Sequence, residues 1–139
     1  GGNVKFNEIK KLAEKWFGPI PAGKPYERKL PAEPKQSGKR QLSVSGKVPL
    51  NSIYKAYHIC ERLHPDFYAV DLLGDILGRG QSSRLYQTLV KDKNKFSSVN
   101  SYASGSIDKG LLVVEGKLNE GVTFEEAEQE MDEIVNNIG

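Results

Sequence analysis

The run His58-Ile59-Cys60-Glu61-Arg62-Leu63-His64 gathers two imidazoles, a carboxylate and the only thiol of the chain. A hydrolytic zinc site on a helix requires His-x-x-Glu-His, with the imidazoles one turn apart and the glutamate activating the water on the metal. Here Arg62 stands where the second imidazole is needed, and His64 comes two residues late. Helix positions six apart point to opposite faces, and a cation among the ligands repels a metal ion. The segment also reads as a strand end entering a turn before Pro65. His58, Glu61 and His64 are therefore expected to hold no metal, the histidines being partly exposed near a strand terminus.

Other groupings are equally open to a bland reading. Cys60 beside a histidine could be a nucleophile with its base, the signature of a small free-standing enzyme; a buried strand cysteine explains it better. Asp71 and Asp75 are one helical turn apart, the spacing of paired carboxylates for acid–base work, yet they fit the solvated edge of an otherwise apolar helix. Gly78-Arg79-Gly80-Gln81-Ser82-Ser83 precedes a helix and could cradle an anion. It lacks the lysine and the spacing of a phosphate loop, and a tight helix–helix turn accounts for its glycines.

The elements that must position these residues follow from pattern. Ile9, Leu12, Ala13 and Trp16 make one apolar helix face, with Asn7 able to cap its start and Gly18 to end it. Pro19, Pro21, Pro25, Pro31 and Pro34 then mark an extended connector. Gln41–Val48 alternates, with Leu42, Val44 and Val48 on one side, and reads as a strand. Ile53–Cys60 reads as a longer one, Tyr54, Ala56, His58 and Cys60 facing one way and Ile53, Lys55, Tyr57 and Ile59 the other, with Pro49 and Asn51 in the turn between the two. Asp66–Leu77 leaves so little polar surface that it is expected to be a buried helix of the core. Ser82 or Ser83 is expected to cap a short helix through Val90. Phe96–Ala103 and Leu111–Leu118 read as a hairpin closed by Gly105–Gly110. Thr123-Phe124-Glu125-Glu126 has the form of a capping box opening a last helix, whose stripe is Phe124, Ala127, Met131, Ile134, Val135 and Ile138. The order α, loop, β, β, α, α, β, β, α, with short turns between strands, predicts an α+β fold: an antiparallel sheet covered by helices.

Composition bounds the function. The 139 residues carry 20 Lys and Arg against 18 Asp and Glu, a net charge of +2, too little to argue for nucleic acid. Ten of the basic residues fall in positions 1–40, without the clustering that a nucleic-acid surface needs. No apolar run nears the roughly 20 residues that cross a bilayer. A single cysteine rules out an internal disulfide and a thiolate metal site of its own.

Several runs together resemble one family. Glu8-Ile9-Lys10-Lys11-Leu12-Ala13-Glu14-Lys15-Trp16-Phe17-Gly18-Pro19-Ile20-Pro21 is similar to its helix ending in Phe-Gly and proline. His64-Pro65-Asp66, Asp71-Leu72-Leu73 and Ile76-Leu77-Gly78 are similar to its long core helix. Ser82-Ser83-Arg84-Leu85-Tyr86-Gln87-Thr88-Leu89-Val90 is the most specific run. The family is that of the insulinase-like (pitrilysin-type) zinc peptidases, the inverzincins.

The resemblance implies two homologous α+β halves, each of the mitochondrial processing peptidase type, facing each other across a chamber. One half holds zinc through His-x-x-Glu-His and a distal Glu. The other is non-catalytic and gives a wall for the peptide. Lacking the motif, this chain resembles the non-catalytic half, which implies no catalytic or metal-binding residue here and zinc on the partner half of the parent protein. The implied partners are that zinc-binding half, in the same chain or another subunit, and a peptide substrate, with no nucleic acid and no membrane. In many active members this half lends an Arg and, seven residues on, a Tyr to the transition state; those positions fall on Val90 and Ser97, neither of which can serve an oxyanion that way. A structural assembly subunit of the same fold is therefore the alternative. The resemblance further implies that 1–139 is a single, truncated domain, with a strand before Gly2-Asn3-Val4 and more helix after Ile138, and that an open sheet edge is left for pairing.

Overall fold

The computed structural model describes residues 2–27, 29, 31 and 33–138. They fall into two compact units, Gly1–Ser43 and Val44–Gly139.

The first unit contains one helix, α1 (Phe6–Phe17). Asn7 lies inside it and does not cap it: the N-cap is Lys5, with no side-chain bond. Gly18 ends it, its amide donating to the Glu14 carbonyl at 3.1 Å. The expected apolar stripe is present, but no residue of α1 is buried. The described residues of the proline-rich stretch after it form no helix or strand.

The second unit is an α+β layer pair. Its strands are β1 (Ser52–Glu61), β2 (Phe96–Ser104) and β3 (Lys109–Leu118), in the antiparallel order β1-β3-β2. Tyr54 pairs with Glu115 and Glu115 with Asn100, so one row crosses all three strands; Ala56, Val113 and Tyr102 form the next. The ladder slips between Phe96 and Ser98, making Ser97 a bulge. Gln41–Val48, expected as a strand, has no regular structure, and Leu42, Val44 and Val48 are exposed. Alternation equips a segment for a sheet, but a strand also needs a neighbour for its amides and carbonyls, and no described strand pairs with this one.

The helices are α2 (Phe67–Gly78), a π-helix (Tyr86–Asp92) and α3 (Phe124–Asn136). The core joins Leu77, Leu85, Leu89, Phe96, Leu112, Val114, Leu118, Ala127 and Met131. The sheet members of that set share one face, so all three helices pack on the same side. The expectation of a buried core helix is corrected: α2 buries only Gly74, Leu77 and Gly78, while Tyr68, Leu72 and Ile76 stay exposed. Glycine determines its contact face, because only there can the helix backbone come down onto β2. A Cβ on Gly74 would meet the Tyr102 Cα at 3.6 Å, and one on Gly78 would meet the Ser101 nitrogen at 2.3 Å.

The helical turn opens at Arg84, with the Gln87 amide donating to the Ser83 carbonyl at 3.0 Å, so Ser83 holds the N-cap position without capping through its side chain. The Ser83 hydroxyl donates to the Gly80 carbonyl at 2.7 Å, closing the turn in which Gly80 has φ +80°. The chain then widens into the π-helix, whose end is marked by the Lys93 amide donating to Thr88 O at 2.9 Å. The capping box at α3 forms by half. The Glu126 amide donates to Thr123 Oγ1 at 3.2 Å, but the Glu126 carboxylate pairs with Lys95.

Three lysines from outside α3 grip it. Lys55 on β1 meets Asp132 and, at 3.5 Å, Glu128; Lys93 meets Glu130; Lys95 meets Glu126. Arg84 donates to the carbonyls of Asn137 and Ile138 at 3.1 and 3.2 Å, satisfying acceptors that the helix end leaves open.

Candidate functional site

The alternation along each strand gives the sheet a second face, opposite to the one on which α2, the π-helix and α3 pack. Lys117, Glu115, Val113 and Leu111 of β3 point to it. So do Ser98, Asn100, Tyr102 and Ser104 of β2, and Tyr54, Ala56 and His58 of β1. Tyr54 is 65% exposed, Tyr102 43% and Leu111 38%. Aromatic and aliphatic groups in the open, on a rigid sheet, make a surface suited to contact.

At one end of this face is a shallow hollow of about 100 Å³, lined by Ser52, Tyr54, Ser98, Asn100, Glu115 and Lys117 together with the backbone of Val99 and Gly116. The Asn100 side-chain amide donates to Glu115 Oε1 at 3.3 Å. Lys117 makes no ion pair with any described residue. Its carbonyl accepts from the Ser97 hydroxyl at 3.3 Å. β1 and β2 are the outer strands of the sheet, and no further described strand pairs with either.

The sequence-derived candidates are scattered. His58 faces outward from β1. His64 lies in the turn beyond, its Nδ1 accepting from the Asp66 amide at 3.2 Å. Among the described residues no three His, Cys, Asp or Glu side chains come together, so those residues do not fit a zinc ion. Cys60 is half-buried and makes no side-chain hydrogen bond; it lacks the contact that a thiol and its base require. Asp75 pairs with Arg79 at 3.1 Å on the surface of α2, leaving Asp71 alone.

Val90 sits in the π-helix, half-buried against the core, and Ser97 is the exposed bulge residue. π-turns and bulges are both devices that re-aim side chains, often at functional sites. The backbone irregularities are present at both positions, while the side chains there are an apolar one and a hydroxyl. The hollow residues Asn100, Glu115 and Lys117 were not anticipated; the signal available was β3 itself, where charged residues alternate with Leu112, Val114 and Leu118.

Comparison with known proteins agrees with this architecture. Residues 1–139 match the model of the Peptidase M16 inactive domain. The chain is 32% identical over 122 residues to the uncharacterized zinc protease YmxG of Bacillus subtilis (strain 168), covering 83% of this chain and 27% of that protein. A protease structure from Helicobacter pylori superposes with a TM-score of 0.82 at 26% identity, over 97% of this chain and 33% of the other. The crystal structure of a protein described as a zinc protease, from Bordetella pertussis Tohama I, gives 0.55 at 30% identity, over 65% of this chain and 50% of the other. The chain thus spans between a quarter and a half of these relatives. It belongs to the inactive-domain family of the M16 peptidases, the insulinase-like group.

Proposed function

We propose that this member of the M16 inactive-domain family is the non-catalytic wall of a zinc-dependent metalloendopeptidase. Its open sheet face borders the chamber in which a peptide is cut. Zinc and its activated water belong to a homologous partner half, in the same chain or a neighbouring subunit. The observation that carries this reading is the one-sided sheet: three helices cover one face, and the other presents Tyr54, Tyr102, Val113 and Leu111 to solvent. An extended peptide is held mainly through its backbone, by adding a strand to an unpaired edge, which gives affinity with modest side-chain selectivity.

The test uses the 139-residue chain. After exposure to zinc and desalting it should retain no stoichiometric metal and cleave no unstructured peptide. It should bind such a peptide, with amide shifts confined to β1–β3. Tight zinc at one per chain, hydrolysis by the chain alone, or absence of peptide binding would overturn the reading.

A second reading, a structural assembly subunit without protease activity, rests on the resemblance, which puts the family's Arg and Tyr at Val90 and Ser97, where neither residue type stands. The parent protein distinguishes the two. An intact His-x-x-Glu-His about one domain upstream supports the peptidase; its loss supports the scaffold.

A further inference from the structure

We infer that the hollow beneath Tyr54 is a side-chain subsite selective for a carboxamide, that of Gln or Asn, in the bound peptide. This deepens the wall reading and rests on it.

The inference starts from two opposite charges that do not meet. Glu115 and Lys117 project from the same side of β3, two residues and thus about 6.7 Å apart along the strand. No ion pair joins them. Asn100 occupies one oxygen of Glu115 through its Nδ2, which leaves the second carboxylate oxygen and its own Oδ1 as acceptors. Lys117 supplies an ammonium donor. The hydroxyls of Ser52 and Ser98 flank the lysine on both sides, since both residues pair with it across the sheet. Tyr54 pairs with Glu115 and forms the remaining wall of the hollow.

A hollow of about 100 Å³ accepts one side chain, and its chemistry is two-sided. A carboxylate entering it gains Lys117 but is repelled by Glu115. An ammonium or guanidinium gains Glu115 but is repelled by Lys117. An aliphatic group displaces water from both charges and returns no hydrogen bond. A carboxamide satisfies both ends, its oxygen accepting from Lys117 and its nitrogen donating to Glu115 or Asn100. Because the groups are partly solvated, the discrimination is modest, roughly two- to fivefold per mismatched charge, the size that exposed pairs reach.

The experiment measures binding of four fluorescent nonapeptides of alternating Ala and Ser by the 139-residue chain. They differ only at the central position, which is Gln, Glu, Lys or Leu. The Gln peptide should bind tightest. In Lys117→Gln the Lys peptide should gain and overtake the Glu peptide; in Glu115→Gln the Glu peptide should gain. A gain of binding is not produced by damage to the fold, and both residues lie at the surface. Equal affinity for all four peptides, or an order unchanged by either substitution, overturns the subsite and leaves the wall standing. Failure of every peptide to bind overturns both.

Discussion

Gly78, the last residue of α2, meets Ser101 of β2 backbone to backbone: a Cβ on Gly78 would lie 2.3 Å from the Ser101 nitrogen and 2.6 Å from the Asn100 carbonyl carbon. Neither atom can rotate away. Gly78→Ala must therefore push the helix off the sheet, at a cost of about 1–3 kcal/mol or more. A urea titration should show the midpoint fall with an unchanged slope.

Ser101 gives the opposite sign. Its hydroxyl oxygen is buried and has no hydrogen-bond partner among the described residues. Ser101→Ala removes a polar atom that folding desolvates without compensation, and should raise stability by about 1 kcal/mol. The same titration reads it. A loss of stability would mean that the hydroxyl finds a partner in solution.

Lys55 is the most enclosed of the lysines that hold α3, its side chain 12% exposed. Lys55→Met removes the positive charge that Asp132 and Glu128 share. The expected loss is roughly 1–2 kcal/mol, less than for a fully buried pair because Asp132 keeps access to water. Added salt should narrow the difference between the two proteins, which a purely steric effect of the substitution would not do.

Tyr57 lies beside the same carboxylates. Burial first, then the charges of Asp132 and Glu128, raise its phenol above the ordinary 10.0. The raised value means that the folded chain holds this proton where the unfolded chain releases it. Stability is untouched by the group below pH 10 and falls as pH climbs from there through the raised value. A spectrophotometric titration should show a phenol ionising above pH 10, and Tyr57→Phe should abolish that step and flatten the alkaline fall in stability.

Thr123→Ala should cost about 1 kcal/mol through the lost cap. The carboxylate of Glu126 is engaged elsewhere, so a double-mutant cycle should couple Glu126 to Lys95 and give little coupling to the Thr123 side chain. Strong Thr123–Glu126 coupling would restore the full capping box.

Much of this was legible in the residues. β1 was bounded to within a residue at each end, and the β2–β3 hairpin nearly so, because alternation over eight or more positions between turn residues has few other solutions. Gln41–Val48 has the same alternation and no ladder, since pattern sets which side of a strand is apolar but not whether a neighbour exists. α2 misled for a related reason. An almost uniformly apolar helix carries no polar marker of its outer side, and the contact side is written instead in Gly74 and Gly78, one turn apart. The candidate site was legible only as parity: Tyr54, Ala56 and His58 share a side. That this side is the open one depends on Leu112, Val114 and Leu118 sealing the other. The diversion of Glu126 to Lys95 links positions far apart in the chain and left no local sign.

The strand order β1-β3-β2 has a kinetic consequence. β2 and β3 are joined by a tight hairpin and can zip within moments of being made. Of the three described strands β1 comes first in the chain, and it must wait for β3, its only described neighbour. Until then Ile53, Tyr57 and Ile59 are unsheltered on a nascent chain, and closing that long loop is the slow step. Among the described strands β1 is thus the one left open longest, from the release of residue 61 to that of residue 118.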